Sequence, residues 1–146
     1  MSTTVLFPGS FDPFTIGHDA IVRRALQLFD TVVVAVGYNE HKAGWQTVEE
    51  RVAAIEHLYA DEPRVRVLAY QGLTAAIARK VGAGAILRGV RTIHDYEYEQ
   101  QMATVNRELT GVETVLLFAH PQLSHVSSSI VRELAHFDQD ITKYLP

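Results

Sequence analysis

Glycine, serine and histidine lie close together in the stretch GSFDPFTIGH, residues 9–18. Glycine lets a backbone approach a ligand closely, and the hydroxyl of Ser10 can donate a hydrogen bond. His18 follows at the start of a predicted helix, where free backbone N–H groups and the helix dipole favour an anion. The same dipole disfavours an imidazolium, so we expect His18 to be neutral until a polyphosphate binds. The stretch therefore indicates phosphate chemistry, although it matches neither the Walker A nor the G-x-G-x-x-G pattern.

Basic residues recur at points where an anion could be held, notably Lys42, Arg88 and Arg91. The chain as a whole is acidic, with 13 Lys and Arg against 17 Asp and Glu and a net charge of −4. Nucleic-acid surfaces are usually broad and basic, so we do not expect a nucleic-acid partner. The few cations instead indicate a local site for a small anionic ligand.

Apolar runs of strand length alternate with helical patterns along the 146 residues. The predicted strands are centred on residues 5–7, 32–36, 65–68, 85–87 and 115–118. Apolar residues at helical spacing lie between and after them, for example Ile21, Ala25, Leu28 and Phe29 in the first helix. Strict alternation predicts a parallel sheet with right-handed crossovers. We therefore predict an α/β fold, a single doubly wound, Rossmann-like domain over residues 1–146 with a five-stranded parallel sheet.

Helix ends also have recognisable signals. Thr47 and Glu50 form a predicted capping box, Gly111 is placed to end the fourth helix, and Ser127, Ser128 and Ser129 can cap the fifth. The fourth helix carries an apolar stripe, Tyr98, Met102, Val105 and Leu109.

The segments that follow the predicted strands carry the polar residues. In an open parallel sheet, ligands bind outside the carboxyl ends of the strands, where the strand order reverses. The five segments are residues 8–13, 41–42, 72–74, 88–91 and 123–129. Each supplies glycine, hydroxyl or cationic groups suited to a phosphate-bearing ligand.

Composition limits the other classes of function. The sequence has no cysteine, which excludes disulfides and thiolate metal sites. The start of the chain lacks the features of a signal peptide, and no segment has the ~20 apolar residues of a membrane span. The histidines outside residues 9–18 show no metal-ligand spacing. We therefore expect a cytoplasmic protein with no membrane partner and no protein-bound metal.

Several motifs together resemble a known family. The T-x-G-H of residues 15–18 and the three serines at 127–129 resemble the nucleotidyltransferase superfamily. The longer stretches PGSFDPFTIGH, LRGVRTIHDYEYEQQM (residues 87–102) and VSSSIVRELA (residues 126–135) are similar to bacterial phosphopantetheine adenylyltransferases. The resemblance covers nearly the whole chain. Where that family commonly has aromatic residues, this sequence has Leu123 and His125.

The resemblance implies transfer of AMP from ATP to 4′-phosphopantetheine, which gives dephospho-coenzyme A and pyrophosphate. It further implies Mg²⁺ as cofactor, a homohexamer, and coenzyme A as a possible feedback inhibitor. The implied ATP contacts are Ser10, Phe11, His18, Gly89, Val90, Arg91, Glu99, Leu123, Ser124, His125, Val126, Ser127, Ser128 and Ser129. The implied acceptor contacts are Ser10, Lys42, Thr74 and Arg88.

The implied chemistry needs no protein nucleophile, because a phosphate monoester is already ionised near neutral pH. Catalysis then consists of in-line placement and neutralisation of charge. As hypotheses, the catalytic residues are Ser10, His18, Lys42 and Arg91. Ser10 and His18 serve the α-phosphoryl group and Lys42, with Arg88, holds the acceptor phosphate. Arg91, with the serine loop, binds the β- and γ-phosphates.

Simpler roles remain open at this point. Arg88 and Arg91 could be paired with Asp95 or Glu97, Asp12 could hold its turn, and the serines could cap a helix without touching ligand. Two other functions also remain open. One is AMP transfer to a different acceptor such as nicotinate mononucleotide, and the other is an ATP-binding regulatory module without turnover.

Overall fold

Strands and helices alternate throughout the computed structural model, which describes residues 2–146. The strands are β1 Thr4–Gly9, β2 Thr31–Gly37, β3 Val65–Tyr70, β4 Ala85–Val90 and β5 Glu113–Phe118. The α-helices are α1 Ile16–Ala25, α2 Val48–Leu58, α3 Thr74–Lys80, α4 Ile93–Thr110 and α5 Ser128–His136. Short 3₁₀ turns follow at Pro121–Leu123 and Thr142–Tyr144. The alternation predicted from the sequence is confirmed.

The five strands form one sheet in the order β3-β2-β1-β4-β5, and all neighbours are parallel. The chain runs outward from β1 to β3, then returns to the other side of β1 to form β4 and β5. The order therefore reverses between β1 and β4, the arrangement of a doubly wound sheet. This confirms the predicted fold class.

The β1–β4 ladder is the shortest in the sheet. It pairs only Val5 with Ala85 and Leu6 with Ile86, whereas β1 and β2 stay paired as far as Gly9 and Val36. The carboxyl ends of β1 and β4 are thus free to separate, which opens a crevice at the point where the strand order reverses.

The core lies on both faces of the sheet because successive strand residues point to opposite sides. In β2, Val32, Val34 and Val36 pack against α1 and α2, while Val33 and Ala35 pack with the small residues of α3. All five residues are fully buried. A continuous apolar run, here four valines and one alanine, is typical of a strand covered on both faces.

The start of α2, the end of α4 and the start of α5 lie where local signals predict them, whereas α1 ends at Ala25 and leaves Leu28 and Phe29 of its predicted stripe outside the helix. Thr47 and Glu50 form the capping box of α2, and Gly111 ends α4 with φ 77°, a left-handed conformation in which glycine has no Cβ penalty. The Ser127 side chain accepts from the N–H of Ile130 and caps α5.

The apolar stripe of α4 faces outward. Tyr98, Met102, Val105 and Leu109 are 37–57% exposed, and this helix of 18 residues packs mainly against α3 and the outer part of the sheet. Within residues 2–146, no helix combines the length and apolar character needed to cross a bilayer.

Candidate active site

Four carbonyl oxygens at the end of β1 and in the turn after it accept hydrogen bonds from side chains of other elements. The pairs are Arg88 Nη1 to Pro8 O at 2.7 Å, Arg51 Nη1 to Ser10 O at 2.8 Å, Arg132 Nη1 to Asp12 O at 2.7 Å and Ser128 Oγ to Pro13 O at 2.7 Å. These donors come from β4, α2 and α5. Because the negative ends of the turn's peptide dipoles are already bonded to donors, an anion near the turn meets less repulsion from them.

Phe11 lies at the centre of this turn in a strained conformation. Its φ is 48°, which is uncommon for a residue with a side chain. The ring is buried, 5.0 Å from the His18 ring and 5.1 Å from the Phe14 ring between centroids. A Cβ on Gly9 would lie 2.9 Å from the Phe11 ring, so glycine is required there. Strained residues of this kind persist where the surroundings hold them, often at functional sites.

His18 is held at the start of α1 by a reciprocal cap. The N–H of Thr15 donates to His18 Nδ1 at 2.9 Å, and the Thr15 hydroxyl accepts from the backbone N–H of His18. Because Nδ1 accepts a hydrogen bond, the proton of the neutral ring is on Nε2. Burial, followed by the charges of Arg88 and Arg91, lowers the pKa of His18 to about 3. A pKa this low agrees with the expected neutral state, but its main cause is burial and not the helix dipole. The neutral ring has one N–H to offer.

Arg88 bridges the gap between β1 and β4. Its Nε and Nη2 donate to the two carboxylate oxygens of Glu99 at 2.8 and 2.9 Å, and its Nη1 donates to Pro8 O. Glu99 is buried at 6% exposure. Two parallel charge-assisted bonds fix the orientation of the guanidinium. The structural partner of Arg88 is therefore Glu99, not Asp95 or Glu97.

Arg91 has a looser ion pair. Its Nε lies 3.4 Å from Asp95 Oδ2, and its Nη1 lies 3.5 Å from the carbonyl oxygen of Val126. Asp95 also accepts from the N–H of Arg91. Arg91 thus connects the start of α4 with the loop before α5.

The crevice between β1 and β4 holds a cavity of about 320 Å³, which we call the main cavity because most of the predicted ATP contacts line it. These contacts are Ser10, Phe11, His18, Gly89, Arg91, Glu99, Leu123, Val126, Ser127, Ser128 and Ser129. Arg88 lines it as well. The carboxyl-end rule for parallel sheets therefore located this cavity from the sequence.

Three predicted ATP contacts do not line this cavity. Val90 is buried in β4. The Ser124 hydroxyl donates to Pro121 O at 3.0 Å, and the His125 ring lies 6.4 Å from the Tyr144 ring, edge to face. The side chains of Ser124 and His125 are thus engaged locally at the rim.

The predicted acceptor residues Lys42 and Thr74 line two further cavities on either side of the main one. Lys42 lines a cavity of about 540 Å³ that shares Ser10 and Arg132 with the main cavity. Thr74 lines one of about 120 Å³ that shares Arg88 and Glu99 with it. Ser10 and Arg88 therefore stand at the two junctions.

Comparison with known proteins shows the family of this chain. A family model described as cytidylyltransferase-like matches residues 6–134. The phosphopantetheine adenylyltransferase of Phocaeicola vulgatus is 54% identical over 97% of this chain and 93% of its own length. That of Bacteroides fragilis is 50% identical over 97% and 94%. The chain belongs to the phosphopantetheine adenylyltransferase family.

Solved structures share the fold at low sequence identity. A bifunctional NMN adenylyltransferase/ADP ribose pyrophosphatase from Francisella tularensis superposes with a TM-score of 0.74, 16% identity and coverage of 99% of this chain and 45% of that one. A putative nicotinate-nucleotide adenylyltransferase from Vibrio parahaemolyticus gives a TM-score of 0.70, 16% identity and coverage of 99% and 87%. These likenesses show the Rossmann-like fold of the adenylyltransferases.

Sequence reasoning missed Arg132, which the structure places at the junction with the Lys42 cavity. Its Nη1 donates to Asp12 O and its Nη2 to Ser129 Oγ at 3.3 Å, so both partners are neutral oxygens. Arg132 lies four residues after Ser128, on the same side of α5. That helical spacing from the serine loop was the available signal.

Thr15 and Arg51 were also missed. Thr15 belongs to the T-x-G-H motif, and its role follows from the reciprocal cap with His18. Arg51 is 7% exposed and reaches Ser10 across a sequence separation of 41 residues. No local pattern could show that contact, because it depends on how α2 packs against the sheet.

Proposed function

We propose that this chain transfers AMP from ATP to 4′-phosphopantetheine, giving dephospho-coenzyme A and pyrophosphate in coenzyme A biosynthesis. The observation that carries the proposal is the main cavity, which combines a neutral N–H donor, His18, with two guanidinium groups, those of Arg88 and Arg91. Cavities lined by Lys42 and Thr74 adjoin it. The family membership supports the same reaction.

The neutral ring of His18 suits the transferred phosphoryl group. Its Nε2–H donates without adding a charged group that must be desolvated, and the cap from Thr15 keeps the ring oriented. As negative charge builds on the α-phosphoryl oxygens, such a preorganised donor binds the transition state better than the ground state. Ser10 supplies a second donor at the junction with the Lys42 cavity.

The acceptor phosphate needs no general base, so placement is the main task. We propose that Lys42 and Arg88 hold this phosphate in line with the α-phosphorus. Arg88 is suited to it because Glu99 and Pro8 O fix its orientation. Orientation of this kind supplies about 7–11 kcal/mol in well-ordered cases. The attack is direct, without a covalent intermediate.

The triphosphate is proposed to lie along the loop before α5. Arg91 and the serines at 127–129 line the main cavity there, and the start of α5 adds free backbone N–H groups. Arg132 adds a cation whose side-chain partners are neutral oxygens. The adenine portion of ATP is assigned to the Leu123 and Val126 end of the cavity.

Mg²⁺ is proposed to enter as the complex with ATP. Two carboxylates line the main cavity, and both are already paired, Glu99 with Arg88 and Asp95 with Arg91. A metal held by phosphate oxygens fits such a lining, and it would neutralise charge on the departing pyrophosphate.

The assembly and its control are further parts of the proposal. The outward apolar stripe of α4, Tyr98, Met102, Val105 and Leu109, supports self-association, and we propose a homohexamer. Light scattering should give six times the mass of one chain, and Met102→Lys should lower the measured mass.

Coenzyme A contains the structure of the product, dephospho-coenzyme A, and would compete for the same cavities. Because ATP is the co-substrate, we place the reaction in the cytoplasm.

Acceptor-dependent pyrophosphate release tests the reaction. The protein is supplied with Mg·ATP and, in separate assays, 4′-phosphopantetheine, nicotinate mononucleotide or no acceptor. We expect release with phosphopantetheine alone. If pyrophosphate is released only in the assay with nicotinate mononucleotide, that compound is the acceptor. If the protein binds ATP but releases no pyrophosphate in any assay, a regulatory module is favoured.

A further inference from the structure

The segment between β2 and α2, residues 38–47, is fastened to the turn after β1 by one buried carboxylate. Asp12 is 8% exposed, and its Oδ2 accepts from the N–H of Trp45 at 2.8 Å. Its Oδ1 accepts from the N–H of Gln46 at 2.7 Å. We name this segment the Lys42 loop. Both oxygens of the carboxylate are thus used on two successive peptide groups of the loop.

Arg51 supplies the buried counter-charge and completes the junction. Its Nε lies 4.0 Å from Asp12 Oδ1. Its other bonds are to backbone oxygens, from Nη1 to Ser10 O at 2.8 Å and to Gly37 O at 3.4 Å, and from Nε to Thr47 O at 3.4 Å. One guanidinium therefore contacts the turn after β1, the carboxylate and the end of the Lys42 loop. A buried pair with this many bonds holds one geometry.

The loop is pressed closely against the carboxylate. A Cβ on Gly44 would lie 2.8 Å from Asp12 Oδ2 and 2.9 Å from Gln46 O, closer than real Cβ atoms approach. Glycine is therefore required at this position by the close approach of the loop to Asp12. Lys42 is two residues earlier.

Lys42 itself is exposed and depends on the loop for its position. Its N–H donates to Asn39 O at 3.0 Å within the same loop. The next tie, from the N–H of Glu40 to Gln71 Oε1, is exposed and 3.3 Å long. A flexible lysine side chain is placed only as well as its backbone, so the buried tie at Asp12 decides where the ammonium group can reach.

We infer that Asp12 is a positioning residue for the acceptor, one that sets the Lys42 loop against the turn after β1 by accepting from two backbone N–H groups of the loop. The inference rests on the proposed function, in which Lys42 binds the acceptor phosphate. It separates two roles within one turn: Phe11 lines the main cavity, whereas Asp12 lines the cavity of Lys42.

Asp12→Asn tests the inference with little change of shape. The amide keeps one acceptor oxygen, but its NH₂ group faces the N–H of Trp45 or Gln46 and cannot accept a hydrogen bond from it. One of the two bonds that hold the loop is therefore lost. Loss of one charge-assisted bond should raise KM for phosphopantetheine about tenfold and leave KM for ATP within about twofold. Asp30→Asn is the matched control, because Asp30 also accepts a backbone N–H, that of Thr3 at 2.7 Å, at the far end of the sheet. Equal changes in both KM values, or none, would overturn the inference.

Gly44→Ala reaches the same junction without altering a charge. Gly84→Ala is its control, because a Cβ there meets only Thr4 O at 3.8 Å, an ordinary contact. We expect Gly44→Ala to reproduce the acceptor-specific rise in KM and Gly84→Ala to leave both KM values unchanged. An unchanged acceptor KM in Gly44→Ala would contradict the inference even if Asp12→Asn failed to fold.

Acceptor binding without turnover distinguishes this inference from the proposed function. Trp45, the only tryptophan of the chain, lies in the Lys42 loop at 47% exposure and reports on it by fluorescence. Titration with 4′-phosphopantetheine alone should show about tenfold weaker binding in Gly44→Ala than in Gly84→Ala. If the unaltered protein binds phosphopantetheine and the two variants bind it equally tightly, the inference is overturned and the proposed acceptor stands. The absence of any binding to the unaltered protein would overturn the proposed acceptor and the inference with it.

Discussion

Arg88 on β4 and Glu99 on α4 form a two-point ion pair, with 2.8 Å from Nε to Oε2 and 2.9 Å from Nη2 to Oε1. The pair lies where the β1–β4 ladder has ended, and the third arm of Arg88 bonds Pro8 O at 2.7 Å. Side-chain bonds thus replace ladder bonds across the crevice. A phosphate that approaches Arg88 meets a guanidinium already fixed in place.

Glu99→Gln should weaken this bridge. The amide offers one acceptor oxygen in place of two charged ones and puts an NH₂ against the guanidinium. We expect the free energy of unfolding to fall by about 1.5–3 kcal/mol, the range for bonds to charged groups. Urea denaturation measures it, with Glu97→Gln, at an exposed position, as control. Equal stability of the two variants would show that the pair contributes little.

His18→Ala should reduce turnover far more than ATP binding. The neutral ring offers one donor, Nε2–H, and loss of one preorganised donor typically lowers kcat by roughly 10²–10³. Steady-state kinetics give kcat, and equilibrium titration gives ATP affinity. His57→Ala is a suitable control because His57 is exposed at the end of α2. A kcat close to that of the unaltered protein would contradict the role of His18.

The lowered pKa of His18 also predicts how stability depends on pH. The pKa falls from 6.5 to about 3 on folding, so between these values the unfolded chain binds a proton that the folded chain does not. Stability therefore falls as pH decreases below 6.5, and the loss is complete near the folded value. His18→Gln should lose stability less steeply from about pH 7 to about pH 5, measured by urea denaturation. Parallel profiles would contradict the lowered pKa.

Arg132→Gln should weaken ATP binding. Arg88 and Arg91 are each paired with a carboxylate, whereas the side-chain partners of Arg132 are neutral, which leaves its charge available to an anion. Loss of a charge-assisted bond to phosphate should raise KM for ATP about tenfold. Arg107→Gln, which removes an exposed pair with Glu113, should leave it unchanged. A KM for ATP equal in both variants would rule out phosphate contact by Arg132.

The fold could be predicted because its signals are local. The β-branched run at 32–36, the capping box at Thr47 and the glycine at Gly111 each depend on residues close in sequence, and each was confirmed. The outward direction of the α4 stripe could not be predicted, because periodicity shows that a helix has an apolar face and not what covers that face.

Only those site residues that belong to recognisable sequence motifs could be predicted. The carboxyl-end rule and the resemblance bring together His18, Arg91 and the serines at 127–129, which the structure places around one cavity. The contacts that hold them in place join residues distant in sequence, such as Arg51 with Ser10 and Arg132 with Asp12. These depend on helix packing, so they became visible only in three dimensions.

Transfer of the α-phosphate of ATP tests the central claim most directly. The protein is mixed with Mg·ATP labelled at the α-phosphorus and with 4′-phosphopantetheine, and the products are separated. We predict that the label appears in dephospho-coenzyme A in the same amount as pyrophosphate is released, with none bound to the protein. Label that stays in ATP, or that accumulates on the protein before it reaches the acceptor, would contradict direct transfer by this site.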